Sequence, residues 1–253
     1  MAERKIEQIG YERLRIYFLS RRQRHLPGKP FVPGTTYTDI VRLYECDARL
    51  RDVCFVAVGQ FEILLRNAMS EVLSSNHGAH PYFVSAAFRD ADANREALKL
   101  LLDMVARSKD ARVAHYRTTY GDPLIPPIWT LKEVLTFGGC SRLLKHLAGT
   151  MRTAIAAEFG VPNDAVFLRW VECLVDLRNI CAHHDRLFNR SFQKQPTTLV
   201  SAAVPTAPRG KLKAVLECLD HMLAARGAPY SAVAKVDAIV RRCTAMQLAE
   251  AGY

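Results

Sequence analysis

Apolar residues recur at helical spacing from one end of the chain to the other, and no stretch alternates as a half-buried strand must. That property limits the fold to an all-α arrangement. The spacing predicts a first helix from about Ile6 to Arg24, with Ile6, Ile9, Leu14, Tyr17 and Phe18 on its apolar face. Pro27, Gly28, Pro30, Pro33 and Gly34 then enforce a loop. A long helix follows, capped by Thr38 or Asp39 and reaching about Leu73, with Ile40, Leu43, Tyr44, Leu50, Val53, Cys54 and Phe61 as its buried stripe. Asn76-His77-Gly78 stops it, because Gly and Asn accept the left-handed conformation.

Further along, the pattern predicts short pieces over 80–88 and a helix from Asp92 to Tyr120, then breaks at Gly121-Asp122-Pro123 and Pro126-Pro127. Trp129 opens another helix, in which Gly138-Gly139 marks a kink or a close-packing point. Gly160-Val161-Pro162-Asn163 stops and restarts the chain, with Asn163 as cap and Asp164 at the positive end of the next helix. Residues 196–210 hold three prolines and read as a connection to two last helices, Lys211–Ala225 and Ser231–Leu248. The expected organisation is a main helical domain over 1–195 and a helical pair over 196–253 that packs on it or extends it.

The net charge of +10 creates a field that draws polyanions, nucleic acid or an anionic membrane surface among them. Seven cysteines, an odd number with no CxxC pair, argue against a disulfide framework or a structural zinc site and suit a reducing, cytoplasmic compartment. The charged opening stretch has no apolar core of a secretory signal, and the most apolar segment, Val53 to Leu65, is interrupted by Gly59, Gln60 and Glu62. No membrane span is expected.

The densest polar cluster runs from Asp176 to Arg190. On a helical wheel Phe167, Trp170, Val171 and Cys181 gather within about 60° of Leu174, and Arg178, about 40° from Leu174, sits on that stripe. A guanidinium there must snorkel, pair with a carboxylate or face a cavity. His183 falls about 140° around from Arg178, so one straight helix does not converge the two. Convergence requires the helix to end near Ala182 or a second copy to supply the partner. Asn179 and His183, four apart, share a face, where an amide can orient an imidazole.

Arg178-Asn179-x-x-x-His183 resembles the R-x(4–6)-H motif of HEPN ribonucleases, and the string from Arg178 to Arg190 resembles the signature of AbiD/AbiF-like abortive-infection proteins. Supporting likeness lies in Ile9-Gly10-Tyr11-x-x-Leu14 with Tyr17, in Pro33 to Ile40, in Leu43-Tyr44-x-x-Asp47-x-x-Leu50-Arg51, in Glu62-x-x-Leu65-Arg66-Asn67, and in Pro127-x-Trp129 with Phe137-Gly138. The resemblance implies a HEPN-type helical bundle with additional peripheral helices. It also implies metal-independent endoribonuclease activity with no cofactor, at a site that two copies of the chain complete. In that chemistry His183 moves a proton, an imidazole being suited to transfer near neutrality. Arg178 stabilises charge on the phosphoryl oxygens, and Asn179 orients the imidazole. His184, Arg186, Arg190 and Lys194 are expected to hold RNA backbone. Implied partners are RNA, as substrate and as inhibitory antitoxin, and a second copy in a homodimer.

Other readings of the same residues stand beside this one. Arg178 also fits a structural ion pair with Asp176, Glu62 or Glu172, and His183 a helix C-cap. The basic residues after the motif, like Arg21, Arg22, Arg24 and Lys29, also fit a solvated helix end, and Trp129 and Trp170 read as core. A catalytically silent RNA-binding module is the first alternative function. A metal-dependent HD-type phosphohydrolase built on His183, His184 and Asp185 is the second.

Overall fold

A computed structural model describes residues 2–228 and 230–253. Met1, where the charged opening stretch starts, lies outside the described residues. The expected first helix is two: α1 (Ala2–Ile9) and α2 (Tyr11–Ser20). Gly10 divides them at φ 89°, a left-handed backbone position that favours glycine.

The axis of the fold is α3 (Tyr37–His77), a single helix of 41 residues. Thr36, not Thr38 or Asp39, is its cap. The Thr36 hydroxyl accepts the Asp39 N–H at 3.2 Å, and the Asp39 carboxylate accepts the Thr36 N–H at 3.0 Å. Gly78, at φ 75°, ends it as expected. Ile40, Leu43, Leu50, Cys54 and Phe61 are buried, and Tyr44 and Val53 partly so. By length and composition α3 alone among the described helices could cross a membrane. Here α2 and six later helices pack around it, so much of its apolar surface serves the core.

The expected helix over 92–120 is also two, α4 (Ala91–Arg107) and α5 (Ala111–Thr119), because the Asp110 carboxylate accepts the Arg112 N–H and starts a new helix. The short α6 (Ile128–Leu131) precedes α7 (Phe137–His146), which Thr136 caps through the Gly139 N–H at 3.0 Å. Gly138-Gly139 therefore lie in a first turn. They mark a close approach, since a Cβ on Gly139 would stand 3.0 Å from the Met104 sulfur of α4. After α8 (Gly149–Ala157), Asn163 caps α9 (Asp164–Ala182) by accepting the Val166 N–H at 3.1 Å. Phe167, Trp170, Val171, Leu174 and Cys181 bury the stripe of α9, largely against α3.

The two last helices, α10 (Leu212–Ala225) and α11 (Ala232–Arg242), pack on each other and on α3, within the same apolar cluster as the rest. Among the described residues no strand forms, and only isolated bridges such as Arg22 with Phe31 occur. The expectation against disulfides also meets an exception. Cys46 of α3 and Cys243, just after α11, form a disulfide with Cα atoms 6.4 Å apart. The packing of α11 on α3 joins residues 197 apart in sequence, which spacing alone cannot reveal. The other five cysteines are free and buried.

Candidate active site

The motif occupies the end of α9, and the chain stops that helix without glycine. His183 is the C-cap, and His184 takes a left-handed backbone at φ 55°. The His184 N–H donates to the Cys181 carbonyl at 3.0 Å and the Asp185 N–H to the Ile180 carbonyl at 2.9 Å, the paired bonds of a Schellman motif. Sequence reading looks for Gly or Asn at that position, so a histidine there hides the stop. The helix ends at Ala182, one of the two conditions the wheel set.

Arg178 is half-buried, and its Nη1 donates to the Asn179 side-chain oxygen at 3.3 Å. It makes no ion pair among the described residues. The three carboxylates that the sequence offered as its partners are committed elsewhere. Asp176 pairs with Lys194 at 2.7 Å, Glu172 with Lys145 and with Arg169 at 3.1 Å, and Glu62 with Arg66. Burial works against the charged form of Glu172, but Lys145 and Arg169 more than offset it and hold its carboxyl below the usual range.

Asn179 and His183 line one cleft of about 250 Å³, together with Ile180, Asp185, Arg190 and Phe192. Both side chains are exposed to it. Arg178 flanks this cleft through Asn179 and does not line it. Arg190 does, while its Nη1 donates to the Arg186 carbonyl at 3.1 Å. Arg186 turns the other way, donating to the Phe188 carbonyl at 3.1 Å and lining a separate pocket with Ile16, Leu19 and Arg24 of the N-terminal region. Lys194 is engaged by Asp176, and the His184 carbonyl accepts from Arg13 at 3.0 Å. The expected site residues thus divide. Asn179, His183 and Arg190 share a cleft, Arg178 adjoins it, Lys194 is paired at its rim, and Arg186 belongs to another face.

Residues that sequence reading did not connect to the site hold the loop behind it. Asp47 of α3, fully buried, accepts the Leu187 N–H at 3.1 Å and the Phe188 N–H at 2.7 Å through Oδ1. Its Oδ2 accepts the Tyr17 hydroxyl at 2.6 Å and the Arg51 guanidinium at 2.5 Å. Burial, and then the charge of Asp47, push the Tyr17 hydroxyl up, which keeps it a neutral donor. Tyr17, Asp47 and Arg51 all stand in quoted sequence motifs. The signal was present, but its destination 140 residues away was not. From the other side, Glu250 accepts the Asn189 N–H through its carbonyl and ion-pairs with Arg21.

Other expectations land elsewhere. Arg66 lies against Cys140 of α7, and Asn67 accepts from Lys132 at 2.8 Å, so this group does not underlie the motif. Arg22 sits over the Phe31 ring, 4.1 Å from its centroid. Trp170 is buried and donates to the Thr197 carbonyl at 2.7 Å. Trp129, expected in the core, is 51% exposed and lines a cleft of about 700 Å³ with Tyr116, Tyr120, His80 and His115. Its α6 is a single turn preceded by Pro126 and Pro127, and it turns Ile128 and Leu131, not Trp129, into the core. Among the described residues no three His, Cys, Asp or Glu side chains stand close enough to hold a metal ion together.

A family model described as Abi-like protein matches residues 4–189, from α1 through the loop after the motif. No curated protein and no solved structure matches the chain.

Proposed function

Since the chain belongs to the Abi-like protein family, we propose that it acts in abortive infection as a metal-independent endoribonuclease. The catalytic groups are Arg178 and His183, with Asn179 as the residue that orients them, in a site completed by a second copy of the chain. The observation that carries this reading is the uncommitted guanidinium of Arg178. Asp176, Glu172 and Glu62, the carboxylates that the sequence offered it as ion-pair partners, are each held by another cation, and its side chain donates instead to the amide of Asn179. A half-buried guanidinium without an anion is a site for one, and a phosphodiester fits its planar fork.

In the proposed step the RNA 2′-hydroxyl attacks the adjacent phosphorus. The imidazole of His183 moves a proton between the reacting oxygens and the cleft. Arg178 stabilises the charge that grows on the phosphoryl oxygens, a contribution strongest in the transition state. The 5′-oxygen leaves, and a 2′,3′-cyclic phosphate remains. His184, Arg190 and Lys194 position the backbone, Lys194 only after exchanging Asp176 for phosphate.

Two features support a dimer. Arg178 flanks the cleft of its own chain and so is free to serve a neighbour's. An uncovered apolar strip also runs along α3 at Val56, Gly59 and Ile63, with Phe55 at its edge; Val56 is 52% and Ile63 60% exposed. The strip begins beside Cys54, which contacts Cys181 in the motif. The proposed bundle is of HEPN type.

Incubation of the protein with total RNA in EDTA tests the reading. Cuts that persist in chelator and vanish in Arg178→Ala and His183→Ala are expected. RNA bound but left intact would favour a silent RNA-binding module, and cleavage abolished by chelator would favour the metal-dependent phosphohydrolase.

A further inference from the structure

The Cys46–Cys243 bridge does not lie in neutral surroundings. It borders a cleft of about 230 Å³ lined by Arg42 and Arg49 of α3 and Arg242 at the end of α11. All three side chains are exposed, and among the described residues none makes an ion pair. The one carboxylate in the lining, Glu45, is held by Lys5 at 2.7 Å, and Asp39, whose carboxyl feels Arg42, is bonded to Thr36. Three guanidiniums without an ion pair among the described residues thus line the cleft that the disulfide borders, where Cys46 and Cys243 are 7% and 6% exposed.

From this arrangement we propose that the bridge is a thiol-exchange site for a small anionic thiol, a carboxylate-bearing peptide thiol of the glutathione class. Positive charge raises the local concentration of such a thiol and stabilises both the attacking and the leaving thiolate. The thiolate attacks one bridge sulfur, the S–S bond breaks, and its electron pair leaves on the other cysteine, which takes a proton from water. A second thiolate attacks the sulfur of the small thiol in the mixed disulfide and expels the remaining cysteine, which is protonated in turn. The bridge gains two electrons and two protons, and two small thiols become one disulfide.

The exchange has a structural consequence. Cys46 precedes Asp47, which holds Leu187 and Phe188, and Cys243 opens the segment whose Glu250 holds Asn189 and Arg21. Opening the bridge removes the covalent tie of residues 243–253 to α3 and loosens one of the two anchors of the loop behind the motif. The exchange itself is independent of any RNA chemistry.

The test follows reduction of the air-oxidised full-length protein by mass after alkylation, with glutathione and with neutral 2-mercaptoethanol. The ratio of the two rate constants is expected to fall about tenfold in an Arg42→Gln/Arg49→Gln/Arg242→Gln variant, and in wild type when ionic strength rises from 0.02 to about 1 M. The salt arm needs no variant to fold. Amide exchange at Asn189 is expected to quicken on reduction. A ratio unmoved by both charge removal and salt, or seven alkylatable thiols in the air-oxidised protein, overturns the proposal; an unchanged Asn189 amide overturns the coupling to the loop.

Discussion

Asp47 accepts the Phe188 N–H at 2.7 Å, and this bond, beside the one from the Leu187 N–H, ties the first third of the fold's longest helix to the loop that follows the motif, 141 residues on. The same carboxylate neutralises Arg51, which is only 5% exposed. Removing one partner of a buried pair strands the other charge, at a cost of about 3–5 kcal/mol. Asp47→Ala is expected to lose that much in urea unfolding, whereas Tyr17→Phe, which removes one hydrogen bond from the same carboxylate, loses about 1 kcal/mol.

His184 carries a left-handed backbone with no glycine to relieve it. His184→Gly is expected to raise stability by about 0.5–1 kcal/mol, because a non-glycine residue is disfavoured there by sterics. The same variant separates the two roles of the position. If the imidazole holds RNA, affinity falls while stability rises, and a calorimetric melt beside a filter-binding titration reads both.

The apolar strip on α3 gives the proposed dimer a specific test. Ile63→Asp alters a side chain that is 60% exposed and leaves the core untouched. Light scattering is expected to fall from a dimer to a 28.4 kDa species, with the thermal midpoint of the monomer fold kept and RNA cleavage lost. A wild type that is already monomeric and active would remove the need for a second copy.

Burial pushes the Cys173 thiol up to about 11 and the Cys140 thiol to about 12. A raised thiol supplies less thiolate at a given pH. At pH 8 native Cys173 is therefore expected to react with iodoacetamide about a hundredfold more slowly than an ordinary thiol, and Cys140 about a thousandfold. Mass mapping after a short pulse checks this, with full labelling in denaturant as the control.

Much of the fold was legible because local chemistry agreed with the periodicity. Asn163 caps α9, Gly78 ends α3, and the stripes of both helices are buried as read. The misses share a cause. Gly10 and Asp110 break helices inside continuous apolar patterns, since a left-handed glycine and an aspartate cap each act on one residue while periodicity averages over many. The stop at Ala182 was one of two options on the wheel, and the histidine that makes it is not a residue type that signals a stop. Tyr17, Asp47 and Arg51 were visible as a pattern, and Cys46 and Cys243 as two members of an odd set. Which partners they meet is decided by how α9 and α11 lie on α3, which no local rule encodes.

The account stands on Arg178 and His183 acting upon one phosphodiester, and the most direct measurement is cleavage of an end-labelled RNA in EDTA with the product ends identified. Wild type is expected to leave 2′,3′-cyclic phosphate, and Arg178→Ala and His183→Ala to cut at least about a hundredfold more slowly with unchanged circular dichroism. Equal rates in wild type and both variants, or products bearing only a 3′-hydroxyl, would contradict it.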